Sequence, residues 1–191
     1  ARLERFLQMC GNFNMPVANI TTPANFFHAI RRLLERPFRK PLIVMSPKSL
    51  LRHPMCISDI TEFEDRDDNR FQEFFDDTAA DPKKVRKVLF CTGKIYYDLL
   101  QEKQDKKHDD VAVIRIEQLY PFPKKGIDKL LKKYKKASIH WVQEESANMG
   151  AWQFICSNYQ EENVKFSLIS RPITASPATG FKKVHDRQQA E

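Results

Sequence analysis

The apolar residues of this chain recur in blocks whose spacing changes from helical to strand-like. In "ARLERFLQMC", Leu3, Phe6, Leu7 and Cys10 recur at the three- and four-residue spacing of one helix face. The segment "KPLIVMSP" is a continuous apolar run, which is typical of strands buried in a parallel sheet. Because "PVANIT" predicts a short strand before it, residues 15–47 predict a strand, a helix and a second strand.

The helix of this unit has a clear start signal. Thr22 is a favoured N-cap residue and Pro23 suits the first helical position, so we predict a helix through "ANFFHAIRRLLE". Phe27, Ile30 and Leu34 recur at helical spacing, and they are expected on the buried face of this helix.

From residue 85 onward, strands and helices alternate. The predicted strands are "KVLFCTG", "VAVIRIE", "SIHWVQEE" and "KFSLISR". The predicted helices between them are "KIYYDLLQEKQ", "KGIDKLLKKYKK" and "GAWQFICSNYQEE", and a loop and a final helix end the chain. This order predicts an α/β fold with a mostly parallel sheet and helices on both faces.

A stretch of different composition separates the two patterns. Residues 61–81 hold nine acids against two arginines, and few aliphatic residues accompany them. We interpret 49–84 as an acidic linker or surface loop, interrupted by a short helix around "RFQEFF". The predicted organisation is therefore a first part at 1–48, this linker, and a second part at 85–191.

The net charge of +7 would suit a nucleic acid, an anionic ligand or an acidic partner. No nucleic-acid recognition motif accompanies the charge, so no nucleic acid is expected as a partner. No apolar run approaches the roughly 20 residues that span a membrane, so no membrane contact is expected. The cysteines form no CxxC pair and no cluster with histidine, which disfavours a zinc site and indicates a reducing compartment.

The turn after "VLFC" is a candidate phosphate site. Gly93 and Lys94 resemble the end of a phosphate-binding loop, but the earlier glycine and the following Ser or Thr of that motif are absent from the sequence. The simpler interpretation is a strand-to-helix turn in which Thr92 caps the helix. The sequence shows no nucleophile–base pair and no metal-ligand spacing, so no catalytic residue and no metal ligand is predicted in this chain.

Three carboxylates follow predicted parallel strands, where ligands bind in open α/β sheets. Glu117 ends "VAVIRIE", and Glu144 and Glu145 end "SIHWVQEE". They could serve as an acid–base pair. The interpretation favoured here is that they pair with Arg115, with lysines or with the backbone at an interface. The following "QLYPFPKK" is either a capped strand end with a stiff loop or the rim of a ligand site.

Several motifs together resemble the E1 components of bacterial 2-oxoglutarate dehydrogenase complexes. The main ones are "SPKSLLRHP", "FCTGKIYYDLL", "RIEQLYPFP" and "WVQEESANMGAW", and "ARLERFLQMC", "TTPANFFHAIRR" and "SRPITASPATG" fit the same family. The resemblance covers nearly the whole chain, apart from residues 58–85 and 157–167. Seven motifs in this order are far more specific than any one of them.

The resemblance implies a bacterial, cytoplasmic enzyme of the transketolase type that depends on thiamine diphosphate and Mg²⁺. Such an enzyme is a homodimer that decarboxylates 2-oxoglutarate in the citric acid cycle and passes the succinyl group to the lipoyl arm of its E2 partner, dihydrolipoyl succinyltransferase. Residues 1–48 would end the pyrimidine-binding domain, and 85–191 would form the transketolase-like C-terminal domain.

The cofactors would belong to the full-length enzyme. The GDG motif of the family is absent from this sequence, and its substrate-contacting histidine would fall before Ala1. The chain alone is therefore expected to bind no cofactor and to be inactive, and to serve dimer assembly and regulation.

The resemblance also implies a regulatory site, because some members bind acetyl-CoA or AMP between these two domains. Carried over by position, the site falls on Arg32, Gln118 and Lys125, and less securely on Arg70. Cationic side chains would neutralise phosphates, and Gln118 could both donate to and accept from an adenine or ribose edge.

Two alternatives remain open at this stage. The chain could belong to an E1-like enzyme for a related 2-oxo acid, because the residues that set substrate specificity would lie upstream. It could also be a free-standing regulatory or interaction domain of the same fold, which the length of the natural gene product would distinguish.

Overall fold

The computed structural model describes residues 2–64, 69–159 and 164–190, apart from the side chain of Ala190. The first part of the chain forms helix α1, strand β1, helix α2 and strand β2, with the bounds Leu3–Gln8, Val17–Ala18, Pro23–Glu35 and Ile43–Val44. Two short 3₁₀-helices follow at Lys48–Arg52 and Ile60–Phe63.

Strand β3 (Phe74–Phe75) lies in the segment between the two parts. The second part alternates strands and helices as predicted, except that the short strand β6 directly follows β5. Its elements are β4 (Lys87–Cys91), α3 (Ile95–Asp105), β5 (Val111–Ile116), β6 (Gln118–Tyr120), α4 (Lys124–Lys133), β7 (Ser138–Ser146), α5 (Trp152–Asn158), β8 (Phe166–Arg171) and α6 (Lys182–Ala190). Helix α5 confirms the helix predicted there, whose positions 160–162 lie outside the described residues.

The larger sheet has five strands in the order β3-β5-β4-β7-β8. Strands β4, β5, β7 and β8 run parallel, and β3 pairs antiparallel with β5 at one edge, so the mostly parallel sheet is confirmed. The helix predicted in "RFQEFF" is wrong, because Phe74 lies opposite Ile116 on the free edge of β5. Backbone pairing along that edge outweighs a helical spacing that only one turn supports.

Helices cover both faces of this sheet. Val88, Phe90 and Ile114 pack in the largest apolar cluster together with residues of α1, α4 and α5. Cys91 and Val113, which alternate with them along the strands, pack with residues of α3 in a separate cluster. The alternation follows from the two-residue period of a strand, and it confirms the predicted helices on both faces.

The smaller sheet joins the two parts of the chain. Strand β1 pairs parallel with β2, as the strand–helix–strand prediction requires. It also pairs antiparallel with β6, where Val17 lies opposite Tyr120 and Ala18 opposite Gln118. The backbone after β5 therefore leaves the larger sheet and becomes a strand of the smaller one.

Helix α2 begins as predicted but presents a different face to the protein. Thr22 caps it by accepting a hydrogen bond from the Asn25 backbone at 3.3 Å. Phe27, Ile30 and Leu34 were expected to be buried, yet they are 43%, 43% and 65% exposed, so that expectation is wrong. The buried positions of the helix are Ala24, Asn25, His28 and Ala29.

Hydrogen bonds explain this orientation. The Asn25 amide exchanges two bonds with the backbone of Gln72, at 2.8 and 3.0 Å, and His28 lies 2.7 Å from the carbonyl of Glu62. These polar contacts hold the small-residue face of α2 against the rest of the described chain.

None of the described helices combines the length and the apolar character that crossing a membrane requires.

Candidate functional site

The crossing between the two sheets is made by Glu117, which lies between β5 and β6, and by Gln118, the first residue of β6. Both backbone amides donate to the carbonyl oxygen of Glu73, at 2.9 and 3.0 Å. The carbonyl of Glu117 accepts from the Asn19 amide at 2.8 Å. The backbone at Glu117 and Gln118 is therefore fixed by hydrogen bonds to Glu73 on one side and to Asn19 on the other.

The Glu117 carboxylate is fully buried at this crossing. It accepts hydrogen bonds from the Thr21 amide at 2.8 Å, the Thr21 hydroxyl at 2.5 Å and the Asn25 side-chain amide at 3.0 Å. Burial raises the pKa of Glu117, and the nearby Arg115 charge and the hydrogen bonds act in the opposite direction. Its partners are donors, which is the arrangement that an ionised carboxylate requires.

Arg115 completes the surroundings of this carboxylate. One terminal nitrogen donates to the Thr21 hydroxyl at 2.9 Å, so Thr21 bridges Arg115 and Glu117. The Arg115 guanidinium lies 4.3 Å from the ring centre of Phe75 and 4.2 Å from that of Tyr96. Two aromatic faces and one hydroxyl therefore stabilise a cation close to a buried acid.

The favoured interpretation of the strand-end carboxylates is confirmed for two of them. Glu117 binds the backbone and side chains of the β1–α2 junction, and Glu144 forms an ion pair with Lys94. Burial raises the pKa of Glu145, and the neighbouring Glu144 charge raises it further. Glu117 and Glu144 thus serve contacts within the described chain.

Gln118 is buried next to Glu117 and binds a different part of α2. Its side-chain oxygen accepts from Arg32 at 2.5 Å. Its amide nitrogen donates to Glu73 at 3.1 Å and to the carbonyl of Pro121 at 2.8 Å. The Arg32 guanidinium also lies 3.7 Å from the Glu73 carboxylate and 4.0 Å from the centre of the Phe71 ring.

An arginine-rich cleft of about 390 Å³ opens beside this contact. Its walls are His28, Arg31, Arg32, Glu35, Arg36, Pro37, Asn69, Arg70 and Phe71. Burial lowers the pKa of Arg32 to about 10, and the charge of Arg36 lowers it further while Glu73 opposes. Four guanidinium groups around one cleft favour an anion there.

The structure brings together most of the residues expected at the regulatory site. Arg32 and Arg70 line the cleft, and Gln118 accepts a hydrogen bond from Arg32. Gln118 itself is only 3% exposed and is not part of the cleft wall. Lys125 is exposed in the first turn of α4 and is not part of the cleft wall.

The turn after β4 is structural. The hydroxyl of Thr92 donates to the carbonyl of Ile116 at 2.7 Å, and α3 begins after Lys94 without a side-chain cap, so the predicted Thr92 cap is wrong. Gly93 has a φ of 75°, and a methyl group there would lie 2.4 Å from the Asn19 side chain. The glycine therefore permits close contact between the two sheets.

Comparison with known proteins identifies the family. Residues 57–191 match the family described as 2-oxoglutarate dehydrogenase C-terminal, and residues 1–54 match the transketolase pyrimidine-binding domain. The chain belongs to the 2-oxoglutarate dehydrogenase C-terminal family.

Curated relatives carry the same name. The chain is 44% identical, over 205 aligned positions, to the 2-oxoglutarate dehydrogenase E1 component of Brucella abortus (strain S19), and 43% identical to that of Brucella anthropi. Each alignment covers 100% of this chain and 20% of the relative. The chain therefore spans about a fifth of the length of these relatives.

Membership of this family implies thiamine diphosphate and Mg²⁺ as cofactors of the full-length enzyme. Within 2–64, 69–159 and 164–190, no three His, Cys, Asp or Glu side chains come close enough to hold a metal ion. The carboxylates at the strand ends are engaged with Thr21, Asn25 and Lys94. We therefore assign no step of thiamine chemistry to this chain.

Sequence reasoning missed Thr21, Asn25 and Glu73. Each is a small or medium polar residue in a loop or at a helix start, where such residues usually serve capping. The one available signal was that Asn25 lies on the side of α2 opposite to the apolar stripe. Nothing in the sequence indicates that this side faces a buried carboxylate.

Proposed function

We propose that this chain is the C-terminal part of the E1 subunit of a 2-oxoglutarate dehydrogenase complex. The observation that carries the proposal is the match to E1 components along the whole chain, at 43–44% identity. The full-length enzyme would decarboxylate 2-oxoglutarate with thiamine diphosphate and Mg²⁺. It would form a homodimer in the bacterial cytoplasm and transfer the succinyl group to the lipoyl arm of E2, dihydrolipoyl succinyltransferase.

Within that enzyme, this segment fixes the end of the pyrimidine-binding domain to the C-terminal domain. Strand β6 continues the sheet of β1 and β2, and Glu117 binds the junction between β1 and α2. We propose the division into 1–48, a connecting segment at 49–84, and 85–191. In the connecting segment, the buried Phe71 and strand β3 pack against the larger units.

An activity assay tests this function. The full-length enzyme should reduce ferricyanide with 2-oxoglutarate, thiamine diphosphate and Mg²⁺, at a kcat/KM at least about tenfold above that with pyruvate, since a tenfold preference needs only about 1.4 kcal/mol. The 191-residue chain alone should give the rate of buffer, because it lacks the metal-binding motif. A preference for another 2-oxo acid would contradict the substrate assignment, and turnover by the chain alone would contradict its assignment as non-catalytic.

We also propose that the full-length enzyme binds an effector nucleotide, AMP or acetyl-CoA, at the arginine-rich cleft. The specific observation is that four arginines line one cleft together with Phe71. Arg32 and Arg70 would bind phosphate oxygens, and the ring of Phe71 would support the Arg32 guanidinium that lies over it. Gln118 would hold Arg32 in position, and Lys125 would contribute a positive charge outside the cleft wall.

Calorimetric titration of AMP into the full-length enzyme tests this site. Arg32→Ala should raise the dissociation constant for AMP at least about tenfold, because a hydrogen bond to a charged group contributes about 1.5–3 kcal/mol. Arg70→Ala should weaken it in the same direction.

Arg39→Ala is the matched control. Arg39 is exposed, donates to the carbonyls of Arg36 and Phe38, and is absent from the cleft wall. The affinity of the Arg39→Ala enzyme for AMP should stay within about twofold of that of the unmodified enzyme, because a surface arginine outside the cleft contributes little. Equal losses in Arg39→Ala and Arg32→Ala would indicate a general charge effect and overturn the site.

A further inference from the structure

Helix α2 is held at two separate turns by two consecutive residues. Glu117 binds the first turn, through Thr21 and Asn25, and Gln118 binds Arg32. Asn25 and Arg32 are seven residues apart, which is about 10 Å along a helix. The Glu117–Gln118 dipeptide therefore bridges two turns of α2 from the strand crossing beneath it; we call this arrangement the α2 clamp.

A third element makes the clamp rigid. Gln72 exchanges two hydrogen bonds with the Asn25 side chain, and the Glu73 carbonyl accepts from both backbone amides of the clamp. The Glu73 carboxylate lies near Arg32 and accepts from Gln118. The Gln72–Glu73 segment therefore contacts both Asn25 and Arg32, so movement at one end of α2 would disturb the segment that also holds the other end.

Arg32 belongs to the clamp and to the arginine-rich cleft at once. It donates to Gln118 on one side and lines the cleft on the other. A guanidinium group has five N–H donors, so it can meet an anion while it is still bound to Gln118. An anion in the cleft would also compete with Glu73 for the same cation, and this competition would shift the Arg32 guanidinium relative to Gln118.

The other end of the clamp lies at the carboxyl end of β1. Thr21 follows that strand, and its carbonyl oxygen also accepts from the Tyr97 hydroxyl at 2.5 Å and from Cys56 at 3.1 Å. Loops at the carboxyl ends of parallel strands form the ligand sites of open α/β sheets. A change in the position of Thr21 would therefore alter the loop at the carboxyl end of β1 in the pyrimidine-binding sheet.

We propose that Glu117 and Gln118 couple the arginine-rich cleft to the β1–α2 junction, so that a phosphate-bearing ligand on Arg32 changes how firmly Thr21 is held. This regulatory role rests on the proposed nucleotide site. Glu117 and Gln118 are positioning residues in it, because they act on the ligand and on the junction through α2.

Hydrogen exchange in the full-length enzyme tests the coupling. The Thr21 amide donates to Glu117, so the exchange of a peptide covering residues 17–28 reports the state of the clamp. AMP, at a concentration that saturates each protein, should change this exchange rate about fivefold or more, the lower end of typical allosteric coupling. The change should fall below about twofold in Gln118→Leu and in Glu117→Gln, in which one contact of the clamp is removed or weakened.

Glu144→Gln is the matched control for this experiment. It makes the same chemical change at the end of β7, where the carboxylate pairs with Lys94. It should keep the full response to AMP. Should Glu117→Gln fail to fold, Gln118→Leu decides the result.

The outcomes separate the coupling from the site itself. Unmodified enzyme that binds AMP with no change in the 17–28 peptide overturns the coupling and leaves the nucleotide site standing. A response that persists in Gln118→Leu overturns it as well. Unmodified enzyme that does not bind AMP overturns the nucleotide site and the coupling together.

Discussion

Replacement of Glu117 by alanine is expected to lower the free energy of unfolding of this chain by about 3–5 kcal/mol, the usual cost of removing one partner from a buried charged network. The substitution removes the acceptor of three hydrogen bonds from Thr21 and Asn25. It also removes a buried acid next to the Arg115 charge. Because whole domains are stable by only about 5–15 kcal/mol, a large part of the protein's stability would be lost.

Urea unfolding followed by tryptophan fluorescence measures this effect, since Trp141 is fully buried in the core. Glu144→Ala provides the comparison, because its ion pair with Lys94 is partly exposed and should contribute about 1 kcal/mol or less. A loss of the same small size in Glu117→Ala would show that the junction does not depend on the buried carboxylate.

Replacement of Gly93 by alanine should lower the free energy of unfolding by about 2–5 kcal/mol. The φ of 75° costs an alanine about 1–2 kcal/mol. The new methyl group would lie 2.4 Å from the Asn19 side chain, and such overpacking typically costs a further 1–3 kcal/mol, roughly. The Asn19 backbone is fixed by its hydrogen bond to the carbonyl of Glu117, and its side chain is buried, so the contact could be relieved only by a rotation of that side chain within the interior.

The same unfolding measurement checks the Gly93 effect. Gly11→Ala is the matched control, because nothing lies within 4 Å of the position its methyl group would take. It should change the free energy of unfolding by no more than about 0.5 kcal/mol. Equal values for the two glycines would mean that the sheets do not approach each other closely at Gly93.

Local sequence signals predicted the elements that depend on local chemistry. The N-cap of Thr22 and the apolar stripe of α1 are examples, since capping and helical periodicity involve only near neighbours in the chain. The parallel sheet followed from the alternation of strands and helices, which leaves few other arrangements. The helix predicted in "RFQEFF" failed because an unpaired sheet edge, distant in sequence, recruited Phe74 and Phe75.

The candidate site likewise combines features that the sequence predicted with contacts that only the tertiary structure creates. The sequence by itself, through its motifs, determined the family and the order of β1, β2, β4, β5, β7 and β8 along the chain. The family resemblance selected Arg32, Gln118, Lys125 and Arg70 as the predicted regulatory residues. Only the tertiary structure decided that the backbone after β5 joins the sheet of β1, that Gln118 binds Arg32, and that Glu117 receives Thr21. These contacts join residues 86 and 96 positions apart, so they depend on how two sheets meet, and no local periodicity encodes that meeting. The exposed stripe of α2 has the same origin, because the spacing of apolar residues defines a face of a helix, while the hydrogen bonds of Asn25 and its neighbours decide which face the described chain buries.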